Sequence, residues 1–269
     1  VIAFGLRGWR KSPLAASTWR AIRTFAADLR RTRYDAIVDL QEQVKGALIA
    51  RGARGTRHGF DRASIREPLA ALFDNVHHRV PRDLHFVERS RRLAAAALGY
   101  RLQTAPTWNL HVPATAPSLP ARPYVVALHG TSRDDKLWPE DNWRSVLASF
   151  EGAGFASVLP WGSPAEEARS HRLAQGLAHA VVPPWLSLPD AAALVSRAAL
   201  VVGVDTGFTH LAAALRTPTV ALFSVTEPSR HGVECAGPHA RDLGAVGAPP
   251  GVGDVLAAAG ALLREAPRC

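Results

Sequence analysis

Apolar residues recur along this chain at two spacings, and the alternation between them predicts its architecture. Trp19, Ile22, Phe25, Ala26 and Leu29 fall at helical intervals, which predicts an amphipathic helix over about 15–32. The run YDAIVDLQ (34–41) is short, apolar and closed by polar residues, as a buried strand is. Residues 44–52 return to helix, RHGF (57–60) predicts a further strand, and 84–98 a long helix with Gly99 as its C-cap. After four prolines within 111–123, a composition that predicts a linker, the rhythm becomes regular. Strands are predicted at 124–129, 155–162, 180–185, 200–205 and 219–223. Helices are predicted between them at 138–154, 164–177, 187–199 and 206–215, the third opened by Ser187 and Asp190 at capping-box spacing. Strands that alternate with helices imply parallel sheets covered on both faces. The expected organisation is two α/β domains, 1–118 and 119–269.

Composition narrows the class. With 269 residues and 47% hydrophobic content, the chain can bury sizeable cores. No apolar run approaches the roughly 18–20 residues of a membrane span, and no signal-peptide pattern opens the chain. The two cysteines, Cys235 and Cys269, make no disulfide framework and fit a reducing compartment. Neither stands at metal-ligand spacing, so no metal is expected. Methionine is absent and the chain opens on Val1, as if it started part-way through a gene product.

Charge changes the picture more than composition does. Of the net +9, residues 1–118 carry 20 Lys+Arg against 9 Asp+Glu, and residues 119–269 carry 12 against 14. GC-rich coding explains arginine in place of lysine but not this asymmetry, so the first half is expected to meet something anionic. It lacks an aromatic stacking pattern and a helix-turn-helix, which argues against nucleic acid as the partner.

Candidate chemistry sits where predicted strands give way to helices, the place where open α/β sheets bind ligands. In LHGTSRDDKLWP (128–139), Gly130 allows close backbone approach, Thr131 and Ser132 bring hydroxyls, and Lys136 a mobile charge. This is a phosphate-binding set without Walker A spacing, or else a solvated polar loop. In VVGVDTGFTHLAAAL (201–215), Asp205 arrives at a strand tip and Thr206 and Gly207 open a helix whose first N–H groups are free for an anion. His210 follows one turn on. The plainer alternative makes Asp205 an N-cap and His210 a half-buried histidine. In LPWGSPAEEARSHRLA, Glu166 lies in a first helical turn, placed either for two ribose hydroxyls or for the helix dipole.

Together these three segments resemble the nucleotide-sugar site of glycosyltransferase family nine, and the TSRDDKLWP stretch its type I lipopolysaccharide heptosyltransferases. YDAIVDLQEQVKGALIAR, RHGFDRASIREPLAALF and HFVERSRRL resemble the same family's acceptor domain. The resemblance implies a GT-B fold, two Rossmann-like domains with parallel sheets, the N-terminal one incomplete. It implies inverting transfer of heptose from ADP-heptose to a Kdo residue of a lipid A acceptor, in the cytoplasm at the inner face of the inner membrane. No cofactor is implied beyond the donor. Thr131, Ser132 and Lys136 would hold the phosphates from one side, Thr206 and Gly207 from the other. Glu166 would bind ribose, Leu186 would lie by the adenine, and Asp205 and His210 would face the heptose. Arg7, Arg10, Lys11, Arg57 and Arg66, with His77 or His78, would meet the acidic acceptor at an anionic membrane surface. Lys136 and Asp205 are the catalytic candidates in this chain. The family's proposed general base lies in a Gly-Asp loop that nothing here matches, and is expected in a segment before Val1. The alternatives are a sister enzyme with another donor or acceptor, such as the type II enzyme, and, more distantly, a nucleic-acid-binding protein.

Overall fold

The structure, a computed structural model, describes residues 2, 4–112 and 120–265, without the side chains of Leu6, Arg7 and Arg10. The chain forms two compact units, Val1–Thr104 and Ala105–Cys269. The boundary expected at 118/119 and most of the proline-rich linker lie outside the described residues.

The first unit begins with α1 (Leu6–Lys11) and α2 (Ala16–Arg31). A parallel sheet follows, in the order β1 (Ile37–Val38), β2 (Arg57–Phe60) and β3 (Val76–His78). α3 (Val44–Gly52) joins β1 to β2, and α4 (Phe86–Leu98) ends at Gly99 in the left-handed conformation expected of a C-cap, φ 73°. The first predicted strand is much shorter than 34–41. Asp39 ends it, because its Oδ1 accepts a hydrogen bond from the Gln41 N–H at 2.9 Å and turns the chain.

The interior of this unit is polar as well as apolar. Arg89, 2% exposed, pairs with Glu42 at 2.8 Å, donates to the Ser64 carbonyl at 2.9 Å and the Pro81 carbonyl at 2.8 Å, and lies 4.6 Å over the Phe60 ring. One guanidinium thus ties the loops after β1, β2 and β3 to α4. Glu42 holds φ 60°, a conformation that costs a non-glycine residue energy and that this pair supports.

Asp74 is the opposite case. It is buried with neither carboxylate oxygen hydrogen-bonded among the described residues, and it fills the space a side chain on Gly59 would need. Burial, reinforced by the nearby Asp39 carboxylate, pushes its pKa up to about 6. Between the ordinary carboxylate pKa near 4 and this raised value, the folded state binds more protons than the unfolded one, so stability falls as pH rises through that window.

The second unit is built on a six-stranded parallel sheet in the order β6-β5-β4-β7-β8-β9. Its strands are β4 (Tyr124–Leu128), β5 (Ala156–Val158), β6 (Ala180–Val181), β7 (Leu200–Val204), β8 (Thr219–Leu222) and β9 (Ala240–Leu243). The connecting helices are α5 (Glu140–Gly152), α6 (Pro164–Ala174), α7 (Leu188–Ser196), α8 (Gly207–Ala214) and α9 (Pro228–His231), and α10 (Val252–Glu265) follows β9. Alternate residues of β4 face opposite layers. Val125 and Ala127 pack with Trp143 and Phe150 of α5 and Leu262 of α10, while Tyr124, Val126 and Leu128 pack with Leu194 of α7 and Ala212 of α8. That is the doubly wound arrangement expected from the sequence. β9 and α10 extend it beyond the last predicted strand.

The pH dependence gives a direct test of the Asp74 assignment. Asp74→Asn is expected to raise the thermal unfolding midpoint at pH 7.5, by an amount corresponding to on the order of 2 kcal/mol. At about pH 3, where the carboxyl is protonated in the folded and the unfolded state alike, this gain should be absent. Scanning calorimetry at the two pH values reads this, and equal shifts at both would show that Asp74 is not a titrating strain.

Candidate functional site

The chain runs outward from β4 through β5 to β6 and then returns to the other side of β4 as β7. Loops leaving the carboxyl ends of β4 and β7 therefore diverge and leave a crevice between them. A cavity of about 350 Å³ opens there. Gly130, Thr131 and Ser132 line it from the loop after β4, Trp161, Gly162 and Glu166 from the turn after β5, Trp185, Leu186 and Leu188 from the segment before α7, and Thr206 and Phe208 from the start of α8.

Each wall has a local cause. Ser163 caps α6 by accepting from the Glu166 N–H at 3.3 Å, which puts Glu166 in the first turn. The Glu166 carboxylate accepts from the Gly162 N–H at 2.7 Å and occupies the space a side chain on Gly130 would need. Gly130 is therefore required for the carboxylate to reach the cavity. Beneath the loop, His129 is fully buried and bonds Ser170 of α6 at 2.8 Å. Burial, with Arg169 nearby, brings its pKa down to about 4, so it is neutral and serves as a tie between loop and helix. On the far wall, the Trp161 indole N–H donates to the Pro183 carbonyl at 2.8 Å. Ser187 caps α7 by accepting from the Asp190 N–H at 3.3 Å, as its spacing predicts.

Beside the cavity stands an ion pair. Lys136 Nζ lies 2.5 Å from Asp205 Oδ2, and His210 Nε2 lies 3.5 Å from Asp205 Oδ1. Burial alone would raise the Asp205 pKa, but hydrogen bonds from His210, Lys136 and Thr226 outweigh it and hold the carboxyl well below the usual carboxylate range. Asp205 is not the N-cap of α8. That position belongs to Thr206, whose side chain makes no capping bond, so the first N–H groups of the helix remain available. Loops after β4, β7 and β8 thus meet at one carboxylate.

Of the donor-side residues singled out in the sequence, Thr131, Ser132, Glu166, Leu186 and Thr206 line the cavity. Lys136, Asp205 and His210 form the adjoining charged cluster, and Gly207 opens α8. In the first unit, the Arg57 side chain donates to the Phe73 carbonyl at 2.7 Å, Lys11 and Arg66 are exposed, and the side chains of Arg7 and Arg10 are not described. His78 stacks on His58 with their ring nitrogens 3.0 Å apart, whereas His77 bonds the Ala71 carbonyl at 2.7 Å. Trp185, Phe208 and Thr226 were missed. An aromatic before a helix or a threonine after a strand is too common to signal a site by itself. Among the described residues no cluster of metal-ligating side chains occurs, and no helix is long and apolar enough to cross a membrane.

The model of glycosyltransferase family 9 (heptosyltransferase) matches residues 22–249. The chain belongs to that family. It is 41% identical to lipopolysaccharide heptosyltransferase 1 of Escherichia coli strain K12, over 85% of this chain and 72% of the relative. Among solved structures it superimposes on E. coli heptosyltransferase WaaC with ADP at a TM-score of 0.85 and 36% identity, covering 97% of this chain and 83% of the other. WaaC with ADP-2-deoxy-2-fluoro heptose gives a TM-score of 0.80 at 36% identity, covering 98% and 82%. The chain is accordingly a glycosyltransferase of the GT-B type, as the sequence motifs implied.

The ion pair sets a measurable expectation. Lys136→Met should move the Asp205 carboxyl pKa upward, because one of the three donors that depress it is gone. A group with a depressed folded pKa contributes stability at neutral pH that is lost as pH falls through the carboxylate range. The variant should therefore be less stable than wild type at pH 7, with the gap narrowing below about pH 4. Carboxyl ¹³C NMR reads the pKa and thermal melts read the gap. An unchanged Asp205 titration would refute the pairing.

Proposed function

We propose that this chain transfers heptose from ADP-heptose to a Kdo residue of a lipid A acceptor, in the assembly of the lipopolysaccharide inner core. The observation that carries the donor half is the cleft itself. It joins an open helix N-terminus, two hydroxyls and a lysine to a carboxylate and an apolar end, which suits a diphosphate, a ribose and a base in that order. The names of its relatives supply the sugar. On this reading Thr131, Ser132, Thr206 and Gly207 hold the diphosphate, Glu166 the ribose hydroxyls and Leu186 the base edge. Asp205 and His210 face the heptose.

In the transfer step the acceptor hydroxyl gives its proton to a general base and its oxygen attacks the anomeric carbon, while the bond to the diphosphate breaks with inversion and its electron pair leaves on ADP. Charge grows on the diphosphate oxygens as this happens, and Lys136 and the α8 N-terminus are the groups that stabilise it. Asp205 suits an electrostatic and positioning part better than proton abstraction. A carboxylate whose pKa is held low is a weak base, and this one is already bonded by three donors.

Titration calorimetry with ADP and ADP-heptose tests the donor assignment, and no heat at millimolar ADP would overturn it. In transfer assays with a Kdo-lipid acceptor, Lys136→Ala is expected to slow ADP release by on the order of a hundredfold, about 3 kcal/mol. ADP-heptose affinity should fall less than turnover does. Equal losses in binding and rate would make Lys136 a binding residue only.

For the acceptor side we propose that the basic first half, 20 Lys+Arg against 9 Asp+Glu over 1–118, sits against an anionic membrane surface. Each basic residue near such a surface contributes about 1 kcal/mol, screened by salt. Co-sedimentation should favour vesicles with anionic lipid over neutral ones, and the preference should shrink between 50 and roughly 500 mM salt. Equal binding to both vesicle types would remove this surface as an acceptor platform.

A further inference from the structure

The cavity after β4 and β7 carries one feature that its polar chemistry does not use. Trp185 lines it and yet is 63% exposed, with Leu188 beside it 66% exposed. A tryptophan buries more apolar area than almost any other side chain, so leaving it open to water forgoes a large gain unless something covers it. The exposure does not come from a loose segment. Pro183 and Pro184 restrict the backbone leading to Trp185, the Pro183 carbonyl accepts from the Trp161 indole at 2.8 Å, and Ser187 caps the helix that follows. An indole held by rigid backbone on both sides binds with little ordering cost.

Position identifies what it would cover. Thr206 at the α8 N-terminus and the hydroxyls of Thr131 and Ser132 form the anion-binding end. Glu166, packed against Gly130 and bonded to Gly162, marks the diol position. The remaining lining is mostly apolar and includes Trp161, Trp185, Leu186, Leu188 and Phe208, which offer flat and aliphatic surface. A flat, weakly hydrated group one sugar away from a diphosphate is a nucleobase.

We propose that Trp185 is a specificity-determining residue whose indole stacks on the nucleobase of the donor. This rests on the nucleotide-sugar reading of the cleft and adds the group that selects the base end. Stacking responds to the area of the π-face rather than to its hydrogen-bonding edge. Purine diphosphates should therefore gain more from Trp185 than pyrimidine diphosphates, and a ligand without a base should gain nothing.

The test is calorimetry of the whole chain, wild type, Trp185→Ala, Trp185→Leu and Trp185→Phe, against ADP, UDP and ribose 5-phosphate. Trp185→Ala is expected to weaken ADP binding about tenfold to hundredfold, to weaken UDP less, and to leave ribose 5-phosphate unchanged. Trp185→Phe should restore most of the ADP affinity, whereas Trp185→Leu, apolar but without a π-face, should not. Because the side chain is mostly exposed, the melting point of each variant should stay near that of wild type, which keeps a folding defect from passing as a binding defect. Unchanged ADP affinity in Trp185→Ala would overturn the proposal, as would equal losses for ADP and ribose 5-phosphate or full rescue by leucine. Failure of the wild-type chain to bind ADP at all would remove the donor reading and this one with it. Binding by wild type that Trp185→Ala leaves intact would remove this one alone.

Discussion

The adjacency of β4 and β7 is the constraint from which the rest of the second unit follows. Two neighbouring parallel strands whose following helices lie on opposite faces of the sheet must send their loops apart, and a crevice at their carboxyl ends is the geometric consequence. Among the described residues no backbone hydrogen bond joins the two loops. The Lys136–Asp205 pair bridges the crevice, joining the loop after β4 to the loop after β7 through two side chains. Both partners are mostly buried, at 19% and 12% exposure, so neither charge is well screened by water and removing one strands the other. Thr226 brings the loop after β8 to the same carboxylate, and His210 the second turn of α8.

Around this bridge two contacts between neutral groups help to hold the site. Neutral His129 ties the β4 loop to α6 through Ser170, and Trp161 ties the β5 turn to the segment before α7 through Pro183. Catalytic and binding geometry tolerates little play, and side chains fixed by a surrounding shell of hydrogen bonds hold it better than loops alone. The first unit solves the same problem with charge. Arg89 collects a carboxylate and two carbonyls in an interior where replacement by an apolar residue would leave Glu42 unpaired at a positive φ. Asp74, two residues before β3, has no hydrogen bond to its carboxylate among the described residues, and burial raises its pKa.

Much of this was legible in the chain. Buried parallel strands are near-continuous apolar runs, so YVVAL, LVVGV and TVAL announce themselves, and the chemistry lies in the turn directly after each. The helix start at Ser187 was legible because a capping side chain works through a fixed local spacing. What was hidden is what depends on three-dimensional neighbours. ARDL of β9 is polar and lies at the sheet edge, so no apolar run marks it. The strand at 34–41 looked long because its side chains are right for a strand, but the Asp39 side chain ends it by bonding the backbone two residues on. Trp185 carries no local signal at all, since its significance is that it lines a cavity and remains exposed. Lys136 and Asp205 were each visible as candidates, but 69 residues separate them, and no spacing rule states that they pair.

That pairing bears on how the proposed reaction would be driven. If Lys136 pointed freely into the cleft, it would attract the diphosphate of a bound donor as strongly before reaction as during it, and such uniform binding does not speed the chemical step. Held by Asp205, its charge is already partly satisfied, so a ground-state diphosphate gains only the difference between two anionic partners. As the glycosidic bond lengthens, negative charge accumulates on the diphosphate while the Asp205 carboxylate stays constant, and the balance of the lysine shifts toward the leaving group. The helix N-terminus behaves differently, because its dipole is fixed and Thr206 makes no capping bond that an anion must displace. On this reading the helix end supplies affinity for the donor, the lysine supplies stabilisation that grows along the reaction, and Asp205 sets how the charge of Lys136 is divided between the two states.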